Sequence, residues 1–229
     1  MNSRKGFSST EWLILLALLL VGIAVIVPVY YSHAQKGKQQ TSLNNLLQWG
    51  IALNLYLIEN QNELPSVGSD APSNDEPSAW YNALPLYISQ PALTELQDSP
   101  RALTGLWINP AAPEKPLSHG AQYFFYYAMN RWLQPNLSKP ALRIYDIEDP
   151  TSTVFMTETY NTRPYALPSD VDYRFGKKDS GEAIAHVLFC DGHVEPQMKQ
   201  NLTNDPNAFD PRGSISKPTW VPYYNASQP

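Results

Sequence analysis

From Trp12 to Val29 the chain runs through 18 residues without a charge, and Tyr30 and Tyr31 extend the stretch to 20. A bilayer core about 30 Å thick takes about 20 apolar residues in a helix, so this stretch predicts a membrane-spanning segment. The pattern then changes. Between Ser42 and Pro65 the chain reads SLNNLLQWGIALNLYLIENQNELP, where Leu43, Leu47, Gly50, Asn54, Leu57 and Ile58 recur at roughly helical spacing. That periodicity predicts an amphipathic continuation of the helix with those six positions on its buried face.

Beyond Pro65 helical patterning stops. Pro28 is the only proline before residue 65, and the other 20 lie between Pro65 and Pro229. Proline removes a backbone donor and clashes with the preceding helical turn, so short strands between turns are predicted, with one short helix near residues 78–84. Strands are expected at 122–129, 142–147, 152–159, 184–190 and 193–198, which are rich in β-branched and aromatic residues. The Asp191-Gly192 pair between two apolar runs predicts a two-residue hairpin. That register sets Cys190 opposite His193, Leu188 opposite Glu195 and His186 opposite Gln197. The expected fold class is α+β: a long N-terminal helix, membrane-spanning in its first half, packed through its second half on a C-terminal antiparallel sheet.

Charge adds a surface to this picture. Setting aside Arg4, Lys5, Lys36, Lys38 and Glu11 around the apolar helix leaves 12 basic and 20 acidic residues, a net charge near −8. Such a surface repels nucleic acid. Two basic residues flank each side of the span, so the charge rule does not orient it. Cys190 is the single cysteine, which excludes an internal disulfide.

Candidate chemistry is sparse. Hydrolase elbows, zinc-protease helices, nucleotide loops and dinucleotide fingerprints are missing from the sequence, and a non-enzymatic role is expected. Cys190 and His193, with Glu195 or His186, suggest a zinc site, but His186 lies two pleat repeats from Cys190 and a closed site wants four ligands. Asp170, Asp172 and Asp179 offer oxygen ligands of the kind calcium prefers, although Arg174, Lys177 and Lys178 dilute their charge and a solvated turn explains them well. No other cofactor is expected.

One residue is out of place in the apolar helix: Glu11, at its entrance. Ser8-Ser9-Thr10-Glu11 reads as a capping box, and a negative charge suits the first turn of a helix. An ordinary secretory signal cut after Ala34 is a competing reading. The sequence RKGFSSTE followed by an uninterrupted apolar helix also resembles the N-terminus of type IV prepilins and type II secretion pseudopilins. That resemblance implies a leader of residues 1–6 cleaved between Gly6 and Phe7 by a prepilin peptidase, N-methylation of Phe7, pairing of Glu11 with the new amine in assembly, and a helix kink at Pro28. Ser8-Ser9-Thr10 departs from the family, which usually has a Thr and two large apolar residues there.

The segment after the span is similar to a large bacterial group of prepilin-like proteins, matching at Asn44, Asn45, Leu46, Gln48, Gly50, Ala52, Tyr56, Asn60 and Pro65. Asp191, Gly192, His193 and Val194 match that group's C-terminal Asp-Gly-His region, while Gly181 stands where its leading His is usual. The implied layout is a leader at 1–6, a membrane half-helix at 7–31, its soluble continuation at 32–64, a pilin-like β-rich domain at 65–203 and a Pro-rich irregular tail at 204–229. The implied role is a structural subunit of a type II secretion-like or type IV pilus-like filament. Its partners would be the prepilin peptidase, other pilin or pseudopilin subunits and inner-membrane assembly machinery. The chain would sit in a bacterial inner membrane as a single-pass protein with its C-terminal domain in the periplasm. A different class suggested by the 6 Trp and 14 Tyr is a membrane-anchored binding protein for glycans or secreted substrates.

Overall fold

A computed structural model describes residues 9–96, 105–113, 124–134, 141–177, 182–202 and 218–220. The fold is α+β. Helix α1 covers Ser9–Glu59 and contains Pro28, whose ring leaves the Ala24 carbonyl without its usual helical donor. The chain divides into two compact units at Lys38 and Gln39.

The described residues of the first unit, from Ser9 on, are helical. Its large apolar side chains lie open: Leu18, Ile26 and Tyr30 are 64, 67 and 69 % exposed. Among the described residues α1 is the one helix long and apolar enough to cross a membrane.

The second unit begins with residues 39–59 of α1. The helix ends after Glu59 because Gln61 and Asn62 turn left-handed, with φ of +55° and +62°. The Asn60 N–H and the Asn60 side-chain amide both bond the Tyr56 carbonyl, at 2.9 and 2.8 Å, serving an acceptor that the helix end leaves open. A short helix α2, Trp80–Ala83, runs into a 3₁₀ turn, Leu84–Ile88.

The sheet contains β1 (Phe125–Asn130), β2 (Val154–Asn161), β3 (Tyr165–Ala166), β4 (Phe175–Lys177), β5 (Glu182–Phe189) and β6 (Val194–Met198), in the order β3-β1-β2-β5-β4 with β6 on β5. It is mixed rather than purely antiparallel: β1 pairs β3 in parallel, and the other strand pairs are antiparallel. Four expected strands match β1, β2, β5 and β6. The fifth does not. Residues 144–146 form an exposed 3₁₀ turn, in which the Asp146 carboxylate accepts the Arg143 N–H at 3.1 Å and closes the chain locally.

The sheet is covered on both sides. One core cluster joins Leu46, Trp49, Leu53 and Tyr56 of α1 to Phe125, Tyr127, Phe155 and Leu188. Trp49 meets Trp80 and Trp107 edge-on at ring-centre distances of 5.5 and 5.0 Å. The other cluster gathers Ala128, Val154, Ala185, Val187 and Phe189 with Leu202 and Trp220. Trp220 arrives on Pro218–Trp220, a segment expected to be irregular. Thr219 bridges Thr153 in parallel, and the Asn130 amide donates to the Val154 and Trp220 carbonyls at 2.8 and 2.7 Å.

The buried face of α1 differs from the expected one. Ser42, Asn45, Leu46, Trp49, Gly50, Ala52, Leu53, Tyr56 and Leu57 are buried, whereas Leu47, Asn54 and Ile58 are exposed and Leu43 is half-buried. Leu and Ile occur all round this segment, so apolar spacing alone does not choose the face. The buried face is the one that carries Trp49, packed against Trp80 and Trp107.

Candidate functional site

Beyond the apolar core, two specific contacts join the second half of α1 to the sheet and its hairpin. The first is polar. Ser42, Glu158 and His186 are 0, 0 and 1 % exposed, a burial that ionisable groups tolerate only when bonded. The Ser42 hydroxyl donates to Glu158 Oε1, His186 Nδ1 lies 3.0 Å from the same oxygen, and the His186 backbone N–H donates to Oε2 at 3.0 Å. With its hydrogen committed to the carboxylate, Ser42 can accept from the Tyr127 hydroxyl 2.9 Å away. The Asn45 amide reaches that phenol at 3.2 Å and the Gly105 and Ile108 carbonyls at 3.1 Å. Burial, opposed by the Ser42 and Asn45 bonds and reinforced by the Glu158 charge, holds the Tyr127 phenol well above its ordinary range. Three strands and the helix therefore share one hydrogen-bonded node. Sequence reading missed it because its members span residues 42 to 186; the available signal was Glu158 inside the apolar run of β2.

The second contact joins α1 at Gly50 to the hairpin at Asp191-Gly192. A side chain at Gly50 would place its Cβ 2.7 Å from the Gly192 carbonyl oxygen and 3.0 Å from the Leu188 side chain. A Cβ on Gly192 would run into the Asn54 amide, and Gly192 holds φ at +92°. The close approach of helix to hairpin requires glycine at position 50, and the positive φ favours glycine at position 192.

The hairpin is a three-residue loop, not the expected two-residue one. The Phe189 N–H donates to the His193 carbonyl at 2.9 Å and the Gly192 N–H to the Phe189 carbonyl at 3.0 Å, enclosing Cys190, Asp191 and Gly192. Leu188 consequently faces Val194, Val187 faces Glu195 and His186 faces Pro196. The cause lies across the sheet: the N–H groups of Cys190 and Asp191 are taken by the Thr153 and Pro150 carbonyls at 2.9 and 3.3 Å. Cys190 is thus unavailable to pair with His193, and one left-handed residue, Gly192, suffices for the reversal. A one-residue slip moves β6 to the opposite face, so His193 stacks on Phe189 at 4.4 Å with planes 3° apart. Asp191 Oδ1 accepts the His193 backbone N–H at 3.2 Å and lies 2.6 Å from its Nδ1.

This geometry separates the zinc candidates. Cys190 is buried in the helix-side core, His186 belongs to the polar node, and His193 and Glu195 lie at the surface with Nε2 and Oε1 3.9 Å apart. Burial, then the Asp191 charge, pushes the Cys190 thiol well above its usual range. Among the described residues no three His, Cys, Asp or Glu side chains converge as a metal site would require.

Of the calcium candidates, Asp170 pairs with Arg163 at 2.9 Å and accepts the Leu167 N–H at 2.9 Å, and Asp172 pairs with Arg174. Their carboxylates serve arginines and a turn. Asp179, Gly6 and Phe7 lie outside the described residues, and Glu11 is described only as a helical position of α1. No family model, no curated protein and no solved structure matches the chain.

Proposed function

We propose that the chain is a prepilin-like structural subunit of a type II secretion-like or type IV pilus-like filament. The leader is cut between Gly6 and Phe7, and Phe7 is methylated. Assembly then proceeds by packing of N-terminal helices, with the C-terminal domain carried outside the inner membrane. The observation that supports this reading best is the construction of α1: an uncharged segment with exposed side chains and a segment buried in a folded domain belong to one helix with no linker between them. Such a part suits a subunit that offers exposed apolar side chains to neighbouring helices and carries a folded domain. Glu11 has a role in this scheme, because a buried carboxylate needs a partner and loss of one member of a buried pair costs about 3–5 kcal/mol. The Glu11→Ala chain is expected to be cleaved normally and to fail to enter filaments, read by shearing and immunoblotting. Entry at the parent level would contradict the role assigned to Glu11.

A further inference from the structure

Strand β1 leaves β2 beyond Met129, which faces Met156, and so frees the edge of the chain at residues 152–154. A second segment takes that edge. The Val154 N–H donates to the Thr219 carbonyl at 2.9 Å and the Thr219 N–H to the Ser152 carbonyl at 2.8 Å, the pattern of a strand added in parallel. The Thr153 and Thr219 hydroxyls lie 3.4 Å apart across this bridge, and Trp220, 2 % exposed, enters the far-side core cluster. Main-chain bonds along an edge, with a large side chain seated beside it, are how a sheet recognises an extended peptide.

The edge is held in place by other parts of the domain. The Thr153 N–H and hydroxyl donate to the Asp149 carbonyl at 3.0 and 2.7 Å, and the Thr153 carbonyl accepts the Cys190 N–H at 2.9 Å. The Asn130 side chain bridges the Val154 carbonyl at 2.8 Å and the Trp132 backbone N–H at 3.0 Å, and its amide reaches the Trp220 carbonyl from there. Ala128, Ala166 and Ala185, on β1, β3 and β5, belong to the cluster that receives the indole, small residues where a large anchor fits.

The added segment is held less completely. The Trp220 indole N–H is buried and finds no acceptor among the described residues; the same is true of the Trp132 indole N–H and the Tyr173 hydroxyl, whose rings pack against the same cluster. A buried donor without an acceptor has lost its water for nothing, so undocking returns to Trp220 a hydrogen bond that docking removed. Residues 203–217 connect the segment to Leu202, which lies in that cluster too. Those 15 residues reach at most roughly 50 Å at about 3.3–3.6 Å each, so chain length does not tie the segment to its own domain.

We propose that the edge at Ser152, Thr153 and Val154, with Asn130, is a peptide-docking groove: Pro218–Trp220 occupies it in cis as a detachable strap, and the same segment of a second copy docks there in trans. The tether favours the cis form in dilute solution, and crowding of copies favours exchange. The groove belongs to the domain, whether or not the chain enters a filament.

A fluorescent peptide of residues 214–224 stands in for the second copy's segment and is titrated into the full-length protein in detergent micelles. It is expected to bind the Trp220→Ala chain saturably, and the parent at least about tenfold more weakly because the parent's strap competes. A peptide carrying the same Trp220→Ala change should bind the variant chain at least about tenfold more weakly than the parent peptide does. Hydrogen exchange of the parent reads detachment without any substitution: the Val154 and Thr219 amides should exchange at least about tenfold faster than those at the paired centre of β2 and β5. A Trp220→Ala chain that no longer unfolds cooperatively would place the strap in the core and overturn the proposal. So would absence of saturable binding to that chain, equal binding of the two peptides, equal binding to the two chains, or strap amides exchanging as slowly as the centre of the sheet.

Discussion

Trp12 and Trp49 stand on the same helix, the first 61 % exposed and the second 0 %. Gly22 and Gly50 repeat the contrast: a Cβ on Gly22 would meet nothing within 4 Å, and one on Gly50 would meet the hairpin backbone at 2.7 Å. Both segments of α1 are rich in Leu and Ile. What distinguishes them is the small and polar residues of the second, where Ser42, Asn45 and Gly50 touch the sheet and the hairpin. Apolar content describes the first segment adequately, because its large side chains lie exposed. The second needs shape and hydrogen bonds, and these identify it as part of a fold.

The widest test of this contrast is to truncate the two tryptophans. Trp49→Ala removes an indole packed against Trp80 and Trp107 and is expected to cost about 3–5 kcal/mol in denaturant unfolding of the full chain in micelles. Trp12→Ala should leave that transition unchanged. The glycines give a smaller and sharper comparison. Gly50→Ala is expected to destabilise by about 1–3 kcal/mol through overpacking against Gly192, despite the better helix propensity of alanine. Gly22→Ala should cost the domain nothing.

Legibility followed the same division. The membrane-length segment, the helix beyond it and strands β1, β2, β5 and β6 were readable because local pattern determines them. The buried face of α1 was not, because Leu47, Ile51, Leu55 and Ile58 make the outer face as apolar as the inner one. Hairpin register also escaped, since the decisive bonds run from Cys190 and Asp191 to Thr153 and Pro150 in a loop about 40 residues away in sequence. The Ser42–Glu158–His186 node is a tertiary fact of the same kind. That Gly50 and Gly192 touch is likewise a tertiary fact: a Cβ on Gly50 would meet the Gly192 carbonyl oxygen at 2.7 Å.

Two finer measurements probe the domain side. Cys190 is fully buried and its thiol is held largely protonated, so alkylation by iodoacetamide should proceed only as fast as the domain opens and should accelerate sharply in the Gly50→Ala chain. The smallest effect is expected at Asp149. Hydrogen bonds from Thr151, then Ser152, outweigh partial burial and hold its carboxyl below the ordinary 3.8. A carboxyl lowered on folding stabilises above its unfolded value, and that contribution is lost as pH falls through the folded value. Asp149→Asn should therefore lower stability slightly at neutral pH, leave it unchanged in acid and so flatten the acid limb of the stability curve.

In the proposed reading α1 is the assembly helix of a processed, prepilin-like subunit. Intact-mass and N-terminal peptide spectrometry of the membrane-extracted protein tests it most directly. The account predicts a chain beginning at Phe7 with a methylated amine; a chain beginning at Gln35, or one retaining Met1 or Asn2, would contradict it.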